Sequence, residues 1–197
     1  MASNEAELIT DAQGGDMRAF NLLVEQYQTR VYNVCFRVLG DPESAADAAQ
    51  DTFVAAWRKL SSFHGGAFGS WLLRIATNGC YDVLRARKRR PQTSLDAFDA
   101  DGDEQPRQFT DPGEAPDERA ARAELAREIQ RALDRLTDDQ RIVVVLSDIQ
   151  GHSYDEIAAT TGWPLGSVKS RLSRGRAALR ELLKRGELLP DRYRSSE

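Results

Sequence analysis

The chain has 197 residues, of which 41% are hydrophobic and 29% charged, and its formal net charge is −4. That length allows one large domain or two small ones, and the sequence holds no 18-residue apolar run of the kind that crosses a membrane. Cys35, Cys80, His64 and His152 are the only residues of their types and are isolated; this excludes a disulfide framework or a zinc site, and with no P-loop, GxGxxG, HExxH or Ser/His/Asp set the sequence predicts no enzyme, metal or cofactor.

The first sixteen residues, MASNEAELITDAQGGD, are polar and acidic, without a signal-peptide core. A cytoplasmic location is expected. Residues 16–39 place Phe20, Leu23, Val24, Tyr27, Val31, Val34 and Val38 three and four apart, the spacing of one helix face. The next segment opens with Asp41 as N-cap and Pro42 at the first helical position. Its buried stripe is Ala45, Ala49, Phe53, Ala56 and Leu60. A loop rich in glycine and aromatics, SSFHGGAFGS (61–70), leads into a third helix, WLLRIATNGCYDVLRARKRR, which ends in a cationic cluster. Cys35 and Cys80 fall inside apolar helical patterns and read as reduced core thiols.

Charge divides the chain. Residues 1–90 carry net +1, residues 91–118 net −8 and residues 119–197 net +3. The middle piece holds nine acids and four prolines with almost no apolar periodicity. It reads as a flexible acidic linker, either a solvated spacer or a mimic of a nucleic acid backbone.

Beyond the linker three helical patterns follow. The first runs from about Asp138 to Ile149 and is ended by Gly151. Ser153 and Glu156 have capping-box spacing and open a short second helix. Gly162 closes it and Pro164 marks the start of a third. A short helix, a tight turn and a longer basic helix make a helix-turn-helix. On the third helix, Val168, Leu172, Gly175, Leu179, Leu182 and Leu183 fall on one side at 100° per residue. Ser170, Ser173, Arg174 and Ala177 face the other way, flanked by Lys169 and Arg180, with Arg171 and Arg176 nearer the boundary. A face short at its N-terminal end and cationic around it suits the major groove of duplex DNA, where side chains near the helix start meet base edges and flanking cations hold phosphates. No segment alternates as a strand does, and the expected fold is all-α: an N-terminal helical domain (1–90), the acidic linker (91–118), a C-terminal helix-turn-helix domain (119–186) and a short tail (187–197).

Taken in order, FNLLVEQYQTRVYNVCFRVLGDPESAADAAQDTFVAAWRKLSSF, GSWLLRIATNGCYDVLRARKRR and LTDDQRIVVVLSDIQGHSYDEIAATTGWPLGSVKSRLSRGRAAL resemble a bacterial RNA polymerase sigma factor of the extracytoplasmic-function group. The resemblance spans about Glu7 to Leu183, apart from the wording of the linker. It implies a promoter-specificity subunit whose partners are core RNA polymerase (the clamp helices of the largest subunit and the flap of the second), promoter DNA and an anti-sigma factor. Asp47, Gln50 and Asp51 match the clamp-docking helix, though DAAQ stands where DLTQ is more usual, which implies a thinner apolar docking face.

The resemblance further implies that loop 61–70, with Phe68 and with Asn78 on the following helix, forms the pocket for a base of the promoter −10 element. Phe63 and Trp71 read as core aromatics. Arg85, Arg87, Lys88, Arg89 and Arg90 are assigned to the phosphate backbone near that element. Lys169, Ser170, Arg171, Ser173, Arg174 and Arg176 are assigned to the −35 element. The linker would run through the RNA-exit path as an RNA mimic. Two other readings compete. One is a stand-alone helix-turn-helix regulator, which the elaborate N-terminal half disfavours. The other is a nuclease or recombinase, which would need carboxylates clustered near the DNA face where only Asp82 stands.

Overall fold

The computed structural model describes residues 5–89 and 116–184, with side-chain detail for 5–89 and 120–182. The linker up to residue 115, Arg90 and the tail lie outside the described residues. Among the described residues every regular element is helical.

The N-terminal module contains α1 (Glu5–Gln13), α2 (Met17–Leu39), α3 (Pro42–Lys59), a 3-10 turn (Leu60–Ser62) and α4 (Phe68–Arg89). Of its caps, Asp41 is the one the sequence signals. Asp16 accepts from the backbone N–H groups of Arg18 and Ala19 at the start of α2. Gly40 ends α2 with φ 72°, a left-handed conformation that a side chain would disfavour. Asp41 accepts from the Ser44 N–H at 2.8 Å to open α3. Phe20, Leu23, Val31, Val34 and Val38 of α2 are buried against Ala45, Ala49, Ala56 and Leu60 of the next segment. Phe53 is only half-buried. Cys35 and Cys80 are buried, free thiols in the same core.

α1 is absent from the sequence reading. It buries only Leu8, Ile9 and Ala12, too few positions to show periodicity. Its work is to prop the loop after α3. The Gln13 amide donates to the carbonyls of Leu60 and Phe63, at 3.0 and 2.7 Å. The Tyr27 hydroxyl donates to Glu5. Burial, together with that bond to a carboxylate, pushes the Tyr27 phenol up to about 12.

The C-terminal module contains α5 (Pro116–Asp134), α6 (Asp138–Val144) running into a π-helical turn (Val145–Ile149), α7 (Tyr154–Thr161) and α8 (Leu165–Lys184). α5 begins inside the segment read as linker. Thr137 with Gln140, and Ser153 with Glu156, form complete capping boxes. Gly162 ends α7 with φ 71°. On α8, Val168, Leu172 and Gly175 are buried and Leu179 and Leu182 half-buried, as the helical wheel requires. The two modules are in contact: α4 packs on α6 and α7, and α2 packs on α6. The buried Arg141 guanidinium donates to the Val38 carbonyl at the end of α2, at 3.3 Å.

Two helical glycines have opposite surroundings. A Cβ on Gly175 would lie 2.9 Å from Val144 Cγ2, so the close approach of α6 and α8 excludes a side chain there. A Cβ on Gly79 would meet nothing within 4 Å, and a close backbone approach does not explain that residue. Gly79→Ala should therefore stabilise the chain by about 0.5–1 kcal/mol through helix propensity. Gly175→Ala should destabilise it by about 1–3 kcal/mol through overpacking. Urea midpoints for the two variants check both signs.

Candidate DNA and polymerase interface

Three surfaces carry the residues singled out in the sequence. The first is the outer face of α3. Asp47, Gln50 and Asp51 are exposed there, while Ala45, Ala48, Ala49, Thr52 and Ala56 turn inward. Gln50 also edges a groove between α2 and α3 lined by Met17, Val24, Phe53, Val54 and Trp57. Met17 and Val54 are half-exposed apolar side chains. This apolar strip beside the carboxylates was not read from the sequence, because its residues come from two helices.

The second surface is the 61–70 loop with α4. Gly65 and Gly66 take φ of 102° and 92°, and the loop they form opens a crevice lined by Phe63, His64, Ser70, Trp71 and Arg74. Phe68 departs from expectation. It is 1% exposed, its ring centroid 5.5 Å from those of Tyr27, Phe63 and Trp71. Its ring therefore supports the loop from beneath and offers no free face for a base. Asn78 is exposed, but at 1.5 Å per residue it lies about 15 Å along α4 from Phe68, so the two do not line one pocket.

The cations at the end of α4 are not equivalent. Arg85 lies over the Tyr81 ring, 5.6 Å from its centroid. Arg87 donates to the Ser44 hydroxyl and pairs with Asp41, which ties it to the start of α3. Arg89 donates to the Arg85 carbonyl at 3.3 Å. Lys88 donates to Asp139 Oδ1 of α6 at 2.9 Å, with Asp138 3.8 Å away.

The third surface is α8. Lys169, Ser170, Ser173 and Arg174 are exposed as expected, Arg174 donating back to the Ser170 carbonyl at 3.2 Å. Arg171 and Arg176 are engaged within the module. Arg176 Nε donates to Asp148 Oδ2 at 3.1 Å. Arg171 Nε donates to Asp139 Oδ2 at 3.2 Å, and its guanidinium lies 4.2 Å from the centre of the Trp163 ring. Burial works against the Asp139 carboxylate, but the hydrogen bonds and charges of Lys88 and Arg171 outweigh it and hold its pKa below the usual value.

Asp139, Trp163 and Tyr81 therefore belong to the same surface system, although sequence reasoning passed over them. Tyr81 and Trp163 meet edge to face across the module junction at 5.5 Å. Also across the junction, Arg74 pairs with Glu156 at 3.1 Å and the Gln150 amide donates to the Thr77 hydroxyl at 3.4 Å.

A helical module presenting an acidic outer face and a glycine loop, in contact with a helix-turn-helix whose second helix is cationic, has the architecture of a DNA-binding protein. Residues 23–90 match the Sigma-70 region 2 family and residues 126–179 the Sigma-70 region 4 family. The chain is 38% identical over 177 residues to the ECF RNA polymerase sigma factor SigE of Mycolicibacterium smegmatis, covering 89% of this chain and 66% of that protein. It is 36% identical over 181 residues to the RNA polymerase sigma-H factor of Pseudomonas aeruginosa, covering 91% and 93%. Among solved structures it resembles the sigma factor RpoE of Bartonella quintana, held there in complex with the anti-sigma factor NepR. That match has a TM-score of 0.60 and 29% identity, over 85% of this chain and 98% of that one. The chain belongs to the extracytoplasmic-function group of sigma-70 factors, the promoter-specificity subunits of bacterial RNA polymerase. A stand-alone regulator would not account for the region 2 match.

His152 is buried beside the Arg74–Glu156 pair, and its Nδ1 has no hydrogen-bond partner among the described residues. Burial lowers its pKa; Glu156 opposes this and Arg74 adds to it. A depressed folded-state value means that the unfolded chain takes up the proton first as pH falls below about 6.5. Stability should fall between pH 7 and pH 5.5, and His152→Gln should flatten that slope. Thermal unfolding of both proteins across this range is the check.

Proposed function

We propose that the three surfaces divide promoter recognition between them. The acidic face of α3, with Asp47, Gln50 and Asp51, docks on core polymerase, and the neighbouring α2–α3 groove adds apolar contact. The 61–70 loop receives a base flipped from the −10 element; such a flip costs a few kcal/mol, which stacking and edge contacts offset. Phe68 holds that loop from below, while Asn78 meets a different nucleotide of the same strand. Arg85, Lys88 and Arg89 hold phosphates, with Arg87 bracing α4 against α3. Arg90 extends the cationic run in sequence.

In the −35 duplex, Ser170, Ser173 and Arg174 read base edges, and Lys169, Arg171 and Arg176 hold the backbone. The protein acts in the cytoplasm, where polymerase and DNA are found, and no described helix is long and apolar enough to cross a membrane. An anti-sigma factor forms a complex with it, as NepR does with the Bartonella relative.

The observation that carries this division is the exposed patch of Lys169, Ser170, Ser173 and Arg174 on the helix that follows a tight turn. Arg174→Ala should weaken use of the cognate −35 sequence by about 1–3 kcal/mol and leave core binding intact. Lys169→Ala should weaken all duplexes alike and reduce the salt dependence of binding. Asp47→Arg with Asp51→Arg should abolish core binding while leaving duplex binding in place. Anisotropy titrations against cognate and scrambled duplexes, with a core-polymerase pull-down, separate these outcomes. Equal losses for Arg174→Ala on both duplexes would refute the assignment of base reading.

A further inference from the structure

The 61–70 loop has little packing of its own at its tip. Gly65 and Gly66 take φ of 102° and 92°, and a Cβ on either would meet nothing within 4 Å. A crevice of about 880 Å³, lined by Glu5, Ile9, Gln13, Phe63 and His64, separates this tip from α1. The crevice bounded by Trp71 and Arg74 opens toward α4. The tip therefore stands between two openings, and something outside it has to fix its direction.

That direction is set at Phe63. Its ring packs against Phe68 and Trp71, with centroids 5.5 and 5.3 Å away. Ring packing fixes the side chain and leaves the peptide that follows free to turn. The Phe63 carbonyl belongs to that peptide, and the Gln13 amide of α1 holds it at 2.7 Å. The same amide donates to the Leu60 carbonyl at 3.0 Å, so one side chain spans the entry and the exit of the 3-10 turn. α1 is itself anchored, because Leu8, Ile9 and Ala12 are buried and Glu5 accepts from Tyr27. Gln13 thus carries a fixed point of the helical core to the peptide that aims His64 and the two glycines.

We propose that Gln13 is a positioning residue for base selection at the −10 element. It touches no DNA. Its amide fixes the Phe63–His64 peptide, so the loop meets the strand already in its binding conformation and pays no ordering cost there. Without the amide the loop leans into the crevice beside α1, and a loop that adapts discriminates less between bases. The inference rests on the role proposed above for the 61–70 loop.

Holoenzyme reconstituted from core polymerase and the full-length chain tests this on fork-junction DNA with a single-stranded −10 element. Each −10 position is replaced in turn by the other three bases, and anisotropy gives the preference at each. The parent chain should show a strong preference at the flipped position. Gln13→Met keeps the length of the side chain and removes both donated bonds; the residue is exposed, so the core is unaltered. Preference at that one position should fall severalfold, by weaker binding of the favoured base. Gln13→Lys restores a donor within reach of the carbonyls and should recover the preference. Thr10→Ala, one turn earlier on α1 and in the same crevice, removes a hydroxyl bonded within the helix and should change nothing. All three variants should bind a −35 duplex as the parent does.

Parental preference in Gln13→Met, no recovery in Gln13→Lys, or an equal loss in Thr10→Ala overturns the positioning role alone. A parent holoenzyme indifferent to the base at every single-stranded position overturns the proposed role of the loop, and this inference with it.

Discussion

α4 has to do two incompatible things, and the rest of the molecule follows from how it does them. One stripe, Leu72, Leu73, Ala76, Cys80 and Leu84, must be buried to hold the N-terminal module together. The opposite side carries polar and cationic groups, the face proposed to meet nucleic acid. A helix of this length can do both only if other elements fix its rotation, and three do. Arg87 ties its end to the Ser44 and Asp41 cap of α3. The aromatic cluster around Phe68 pins its first turn. A Cβ on Gly69 would lie 2.9 Å from the Tyr27 ring, so glycine there lets α4 cross α2 closely. Phe68 is thus more useful buried: a ring free to stack on a base would leave the start of α4 without its anchor.

The junction between the modules is built from contacts that are individually weak. Lys88 and Arg74 are half-exposed, and exposed ion pairs contribute about 0–1 kcal/mol each. The edge-to-face meeting of Tyr81 with Trp163 adds about 0.5–1.5 kcal/mol beyond the area it buries. Arg141, donating to the carbonyl of Val38, and Gln130, donating to that of Phe36, are the buried polar contacts among them. Such a seam can hold two modules together in the free chain and still yield to a larger partner. A junction of wholly apolar, fully buried residues would have fused the modules and closed the route to DNA.

Legibility in the sequence follows the same physics. α2, α3 and α7 could be read because each has a capping residue and a stripe at helical spacing, and α8 because Pro164 precedes such a stripe; Asp41, Ser153 and Glu156 stand where the caps form. α1 could not, because Leu8, Ile9 and Ala12 give a stripe too short to distinguish from chance. α5 is a charged helix entered from an acidic segment, and its first residues share the composition of that segment. The resemblance implies Phe68 as a pocket residue, whereas its burial against Tyr27, forty-one positions earlier, is a tertiary fact. Periodicity reports which side of a helix is apolar and says nothing of what covers the polar side.

That last limit is where the acids matter. Asp138 and Asp139 sit in the first turn of α6, where negative charge is favoured by the helix dipole, so their sequence context already accounts for them locally. The structure gives Asp139 a second duty that no local rule requires, since a carboxylate serving only the dipole could face solvent. Instead its burial is more than offset by Lys88, fifty-one positions away, and by Arg171. The ion pair is insensitive to pH near neutrality: the Asp139 pKa is lowered and that of Lys88 raised, so both stay charged from the acid range to well above pH 8. The strength of the exposed Lys88 pair therefore responds to ionic strength rather than to pH.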